Sequence, residues 1–189
     1  LIDHLAANFK TDAVIVNNQE AGRMAAREFI LCGHRHIGII AGPEDMDTMH
    51  LRCSGFLEEF QKENSRKAWV CRSGLSMEEG YDSVKKLLSA KHGITGLFCT
   101  NYELTLGAYI ALQEMHKQIP SDISVIGFDN MLLSGILNPP LTMIVQPVKQ
   151  IAVTAAELML ERLEKPDFPG TRIIELETQL LAGASVKPI

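Results

Sequence analysis

Arg52 and Asp129 are the side chains in this sequence whose types and positions best suit them to hold a small polar ligand. Arg52 stands where a loop runs into a helix, shortly after an apolar strand over 36–42, and Asp129 closes a second apolar run over 123–128. A guanidinium fork opposite a carboxylate can hold a polyol, a carboxylate or a purine edge through paired, directional hydrogen bonds. Asn101 ends a third apolar run, 96–100. Each residue also has a plainer role open to it. An Arg at a helix start can be a surface residue, Asn101 can cap a helix, and Asp129 can open a turn.

Catalytic signatures are not found. The sequence contains no G-x-G-x-x-G fingerprint, P-loop, G-x-S-x-G elbow or H-E-x-x-H pair. His4, His34, His36, His50, His92 and His116 are scattered, and no two of them have metal-ligand spacing on one helix. Glu58 with Glu59 and Glu78 with Glu79 are adjacent carboxylates that point to different sides of a helix, as solvated faces do. The reading is of a binding protein, not an enzyme, with no cofactor.

The elements that must position these residues alternate. Residues 94–130 read as strand, helix, strand. Leu104, Ala108, Ala111, Leu112 and Met115 lay one apolar stripe along a helix, and both flanking runs are near-continuously apolar, as in strands buried on both faces of a parallel sheet. A helical crossover makes such a pair parallel and right-handed. Ligands of these sheets bind beyond the carboxyl ends of the strands, where Asn101 and Asp129 stand. Upstream, strands over 13–16, 36–42 and 68–71 are each followed by a helical pattern, and Gly33 suits a left-handed helix stop. Four β-then-α units therefore run in series, an α/β fold with helices on both faces of a parallel sheet. Downstream, Met131, Leu132, Leu133, Ile136 and Leu137 crowd into a short segment with little room to bury them, which predicts a two-fold homodimer through it. After a strand over 141–145 and a helix beginning at Gln146-Pro147, residues 171–183 read as one or two strands with no evident neighbour in the chain.

The 189 residues are enough to bury about 70% of the unfolded surface. The charge of −5, with the 18 basic residues unclustered, gives no sign that this stretch grips nucleic acid or an anionic membrane. Neither a membrane-length apolar run nor a secretion signal is evident, so the expected setting is soluble and cytoplasmic. Cys32, Cys53, Cys71 and Cys99 have no CxxC spacing and read as small core residues. The opening Leu-Ile-Asp reads as the tail of a strand that begins elsewhere, so a piece of a longer chain is expected.

Five motifs carry a family resemblance: GHRHIGIIAGP (33–43), RCSGF (52–56), LGA (106–108), PSDISVIGFDN (120–130) and NPPLTMIVQP (138–147). In order and approximate spacing they resemble the lactose-repressor/galactose-repressor (LacI/GalR) family of bacterial transcription regulators. The resemblance implies a two-lobed, periplasmic-binding-protein-like (type I) effector domain with a Rossmann-like C-terminal lobe over 17–146. Segments 1–16 and 147–189 would belong to, or cross into, an N-terminal lobe. It implies a sugar-like small-molecule effector in the interlobe cleft, a homodimer, and operator DNA held only through a helix-turn-helix domain outside this stretch. Arg52 and Asp129 match the family's effector-binding arginine and aspartate, Asp3 an acidic position near the cleft, and Asn101 a polar position at a strand end. Two positions depart from the pattern: Asn17-Asn18 replaces the usual Asp-Asn, and Tyr102 stands where an Asp is usual and could stack on a sugar ring. Leu75 occupies a position that often carries a stacking aromatic, which weakens a purine reading. A periplasmic-type sugar-binding protein of a transporter shares the fold and is the alternative.

Overall fold

The computed structural model describes residues 1–5, 10–129, 135–165 and 170–189. Its elements run β1 (Ala13–Val16), α1 (Asn18–Leu31), β2 (His36–Ala41), α2 (Asp47–Phe60), β3 (Lys67–Arg72), α3 (Met77–Ser89), β4 (Gly96–Cys99), α4 (Tyr102–Glu114), β5 (Ser124–Phe128), β6 (Thr142–Val145), α5 (Val148–Glu164), β7 (Ile173–Leu176) and β8 (Gln179–Leu181). The larger sheet has the order β3-β2-β4-β5-β6-β8, parallel except for β8. It is the expected α/β arrangement with helices on both faces.

The near-continuous apolarity of these strands has a direct structural cause. Side chains alternate across a strand, so Ile40, Leu97, Val125 and Met143 face one core with Val84, Leu87, Leu104 and Leu112 of α3 and α4. Their neighbours Ile39, Phe98, Ile126 and Ile144 face the other, with Ala25, Phe29, Phe56 and Phe60 of α1 and α2. Both faces are covered, which leaves no polar side for an alternating pattern to report.

The helices on each face cross at glycines. A Cβ on Gly55 would overlap the carbonyl oxygen of Gln19, and one on Gly22 would overlap that of Arg52, so α1 and α2 meet backbone to backbone. Gly107 faces Met77 and Gly80 faces Leu104 in the same way between α4 and α3. These glycines are those of the RCSGF and LGA motifs and their partners. The first crossing holds the helix turn that carries Arg52.

Residues 171–183 depart from expectation: they find neighbours within the chain, in two different sheets. β7 pairs parallel with β1, and β8 pairs antiparallel with β6. Glu177 and Thr178 carry the chain from one sheet to the other. The pattern of Thr171 to Gly183 signals half-buried strands, but nothing in it names the partner.

The end of the chain departs too. Instead of leaving with the rest of 147–189, it docks on the larger sheet. The Ser185 hydroxyl donates to Val125 O and accepts from Thr142 N, at 2.5 and 2.7 Å, while Val125 N donates to Ser185 O. His34, 1% exposed, faces Thr95 Oγ1 at 2.7 Å and Lys187 O at 3.2 Å, and burial holds its pKa below the ordinary value.

A smaller unit lies beside the larger sheet. β1 and β7 pack under α5 through Val14, Val16, Ile151, Leu158 and Leu176. Asp12 staples it: Arg162 donates through Nε and Nη2 at 2.7 and 2.8 Å and Arg172 N at 2.8 Å, which hold the carboxyl well below its usual range. The opening residues join this unit through a parallel bridge between Ile2 and Val14.

Candidate functional site

The carboxyl ends of β2, β4, β5 and β6 form one edge of the larger sheet, and the polar residues of interest gather there. α2 begins beyond β2 and directs Arg52 back across the strand ends. The residue is 1% exposed, its Nε donates to Asn18 Oδ1 at 2.8 Å, and its Nη1 donates to Thr100 O at 2.8 Å. Its central carbon lies 3.7 Å from the centre of the Phe128 ring, within cation–π range.

Asp129 follows β5 with φ +63°, a left-handed conformation that Asp tolerates better than most residues. The turn aims its carboxylate back at the sheet edge. Gln146, directly after β6, donates from Nε2 to Asp129 Oδ1 at 2.7 Å. The other oxygen, Oδ2, lies 3.9 Å from Arg52 Nη1. Burial raises the Asp129 pKa and lowers that of Arg52, despite their mutual attraction. At that separation attraction does not offset the loss of water around either charge. The pair is built but incompletely satisfied.

Asp3, with φ +69°, adds a third polar group whose charge acts on both Arg52 and Asp129. Its Oδ1 is buried with no hydrogen-bond partner among the described residues, as is Gln146 Oε1. The expected set is therefore brought together in part. Arg52, Asp129 and Asp3 share one electrostatic cluster. Asn101 is at the edge but spends its side chain on α4, accepting from Leu104 N at 3.0 Å while Nδ2 donates to Glu103 at 3.2 Å. Its helix-capping role is the one the geometry displays. Tyr102 is the first residue of α4 and half-buried, and Leu75 lies against Gly42 at the end of β2. Of the apolar segment, Met131, Leu132 and Leu133 fall outside the described residues. Ile136 is 79% exposed, whereas Leu137 turns inward against the α3–α4 core.

Sequence reasoning missed Asn18 and Gln146. Asn18 is 4% exposed and fixes the Arg52 fork, while donating from Nδ2 to Val16 O at 3.2 Å. Each is a polar residue just past a short apolar strand, the same topological position that singled out Asp129. That signal was present for both. Among the described residues no cluster of histidine, cysteine or acidic side chains could hold a metal ion.

Comparison with known proteins follows the same outline. Residues 26–186 match the periplasmic binding protein-like domain family. The HTH-type transcriptional repressor PurR of Shigella dysenteriae serotype 1 (strain Sd197) is 36% identical over 179 residues, covering 93% of this chain and 52% of the repressor. The chain spans about half the length of the curated relatives it matches. A LacI family transcriptional regulator from Enterococcus faecalis V583, solved with bound ribose, superposes with a TM-score of 0.89 at 32% identity, covering all of this chain and 68% of that one. A second, from Enterococcus faecium and also with bound ribose, has a TM-score of 0.88 at 28% identity over 100% of this chain and 70% of its own. The chain belongs to the periplasmic binding protein-like domain family, and within it corresponds to the effector-binding region of LacI/GalR-type regulators.

Proposed function

We propose that this chain is the sensing half of a repressor-type transcriptional regulator, and that a sugar-like effector binds over the edge formed by Arg52, Asp129, Asp3 and Gln146. One observation carries this reading: a buried guanidinium and a half-buried carboxylate face each other at 3.9 Å, at the strand ends where α/β sheets take ligands. Tyr102 and Leu75 stand at the rim of that edge, and Asn101 contributes by fixing the start of α4. The role is binding, without catalysis or cofactor. DNA would be held by a separate helix-turn-helix domain, which puts the protein in the cytoplasm. No helix among the described residues is long and apolar enough to cross a membrane.

The geometry also suggests how binding is transmitted. The chain passes between the larger sheet and the smaller unit at Asn17, at Gln146–Pro147 and at Glu177–Thr178. Gln146 is thus both a crossing residue and a partner of Asp129. A ligand bridging the two units binds one relative orientation better than another, and that difference in affinity is all the energy available to the switch. A homodimer through the segment containing Ile136 would convey the change to paired DNA-binding heads.

The test is a gel-shift assay of the full-length protein, as its gene encodes it, on the DNA upstream of that gene, with and without ribose, glucose, galactose and cellobiose. Specific retention that changes with one of these sugars is expected. No DNA retention, or retention that none of the sugars alters, would overturn the reading.

A further inference from the structure

The last stretch of the chain, 184–189, closes the amino-terminal edge of the larger sheet, the end opposite Arg52 and Asp129. Ala184 N donates to Pro140 O at 2.7 Å, Lys187 N to Ser124 Oγ at 3.2 Å and Ile189 N to Cys32 O at 2.9 Å. Lys187 Nζ reaches across to Ser121 O. His34 lies beneath these contacts, buried, with its ring perpendicular to that of Phe29 on α1. Its two nitrogens face different parts of the fold, Nδ1 the hydroxyl of Thr95 just before β4 and Nε2 the carbonyl of Lys187 in the tail. A neutral imidazole has one N–H and one lone pair. Lys187 O accepts and cannot donate, which puts the hydrogen on Nε2 and leaves Nδ1 to accept from Thr95.

A proton added at Nδ1 disturbs both the bonding and the charge. The Thr95 hydroxyl must then swing to His36 O, 3.3 Å away and already accepting from Thr95 N at 2.9 Å. The new charge is buried, and among the described residues no carboxylate acts on it, while Lys187, which does, has the same sign. The other groups around the ring give no relief. Burial and Glu28 push the Cys32 thiol up, so it stays neutral, and the flanking residues Arg35 and His36 are bases. The main chain of Ile189 packs against Gly33. Burial accordingly holds the His34 pKa below its ordinary value. The docked tail therefore favours the neutral ring, and its hold is complete above the ordinary histidine range and weakens as pH falls below it.

We propose that His34 is a proton-sensitive clasp: neutral, it pins residues 184–189 to the larger sheet, and its protonation releases them. The tail continues β8, which follows the crossing at Glu177–Thr178. Its release removes the Ser185 bonds to Val125 and Thr142 at the starts of β5 and β6. Acid thus loosens one of the three connections between the larger sheet and the smaller unit.

Hydrogen exchange of the full-length protein, read by mass spectrometry at pH ~7.5 and ~5.5 and corrected for the intrinsic pH dependence of exchange, tests the clasp. Peptides covering 184–189 are expected to lose protection by ~5-fold or more at the lower pH, while those of β4 and α4 keep theirs. The amide of a His34→Gln variant can still donate to Lys187 O but does not titrate, so its tail should be equally protected at both values. Tail protection in the unmutated protein that does not change with pH, or a loss that persists in His34→Gln, would overturn the proposal. Should the tail of the variant be unprotected at both values, the ring of His34 is titrated by NMR in the unmutated protein, its signal identified by its absence from the variant. A midpoint below the ordinary histidine value, matched by the onset of tail exchange, supports the clasp, and a midpoint at or above that value overturns it.

Discussion

Arg52 is a cation almost removed from water, and its surroundings explain how the fold tolerates it. Two hydrogen bonds at 2.8 Å and the face of Phe128 replace part of its hydration, while Asp129 supplies a countercharge from 3.9 Å. The planar fork matters as much as the charge, because Asn18 and Thr100 O receive N–H groups from different nitrogens. Arg52→Lys keeps the charge but cannot make both bonds, so it should lower stability by at least ~2 kcal/mol in urea unfolding. An unchanged midpoint would show that the fork is not part of the structure's support. Arg52 and Asp129 were legible in the sequence because each sits at the ligand-facing edge implied by the strand pattern. Asn101 satisfies the same positional rule, yet its side chain is consumed by the cap. Asn18 went unread because an asparagine at the start of a helix has an equally good local explanation. Composition and spacing place a residue at an edge, but which way its side chain turns depends on tertiary partners.

Among the elements, the helix crossings are the most tightly specified features. Gly55 lies against the backbone of α1 at Gln19, and its methyl-free Cα lets α2 approach closely enough for Arg52 to reach Asn18. Gly55→Ala would favour the helix intrinsically, but the overlap is with backbone and cannot be relieved by a rotamer change. It should therefore destabilise by roughly 1–3 kcal/mol, with sugar affinity falling as Arg52 is displaced. A stability gain in thermal unfolding would mean that the two helices are not in backbone contact. Strands and helices up to β6 followed from apolar periodicity because each buries a face defined by its own pattern. β7 and β8 did not, since their pattern reports partial burial without naming a sheet. Their partners, β1 and β6, lie far back in the sequence, and only the assembled fold brings them alongside.

At the scale of the whole molecule, the two sheets and the crossings between them define what a ligand can move. The apolar segment after β5 bears on assembly. Leu137 packs inward and Ile136 outward, so Ile136 is the cleaner probe of a dimer. In sedimentation of the full-length protein, Ile136→Asp should shift the population toward monomer at micromolar concentration, and an unchanged dimer would place the interface elsewhere. The central claim concerns the polar edge itself, and calorimetric titration of the full-length protein and its Arg52→Ala and Asp129→Ala variants, with whichever sugar alters its retention on DNA, tests it most directly. Each variant removes one half of the proposed clamp and leaves the other charge without its partner, so each should lose at least ~2 kcal/mol of affinity, about 30-fold or more. Wild-type affinity in both folded variants would contradict a binding site built on Arg52 and Asp129.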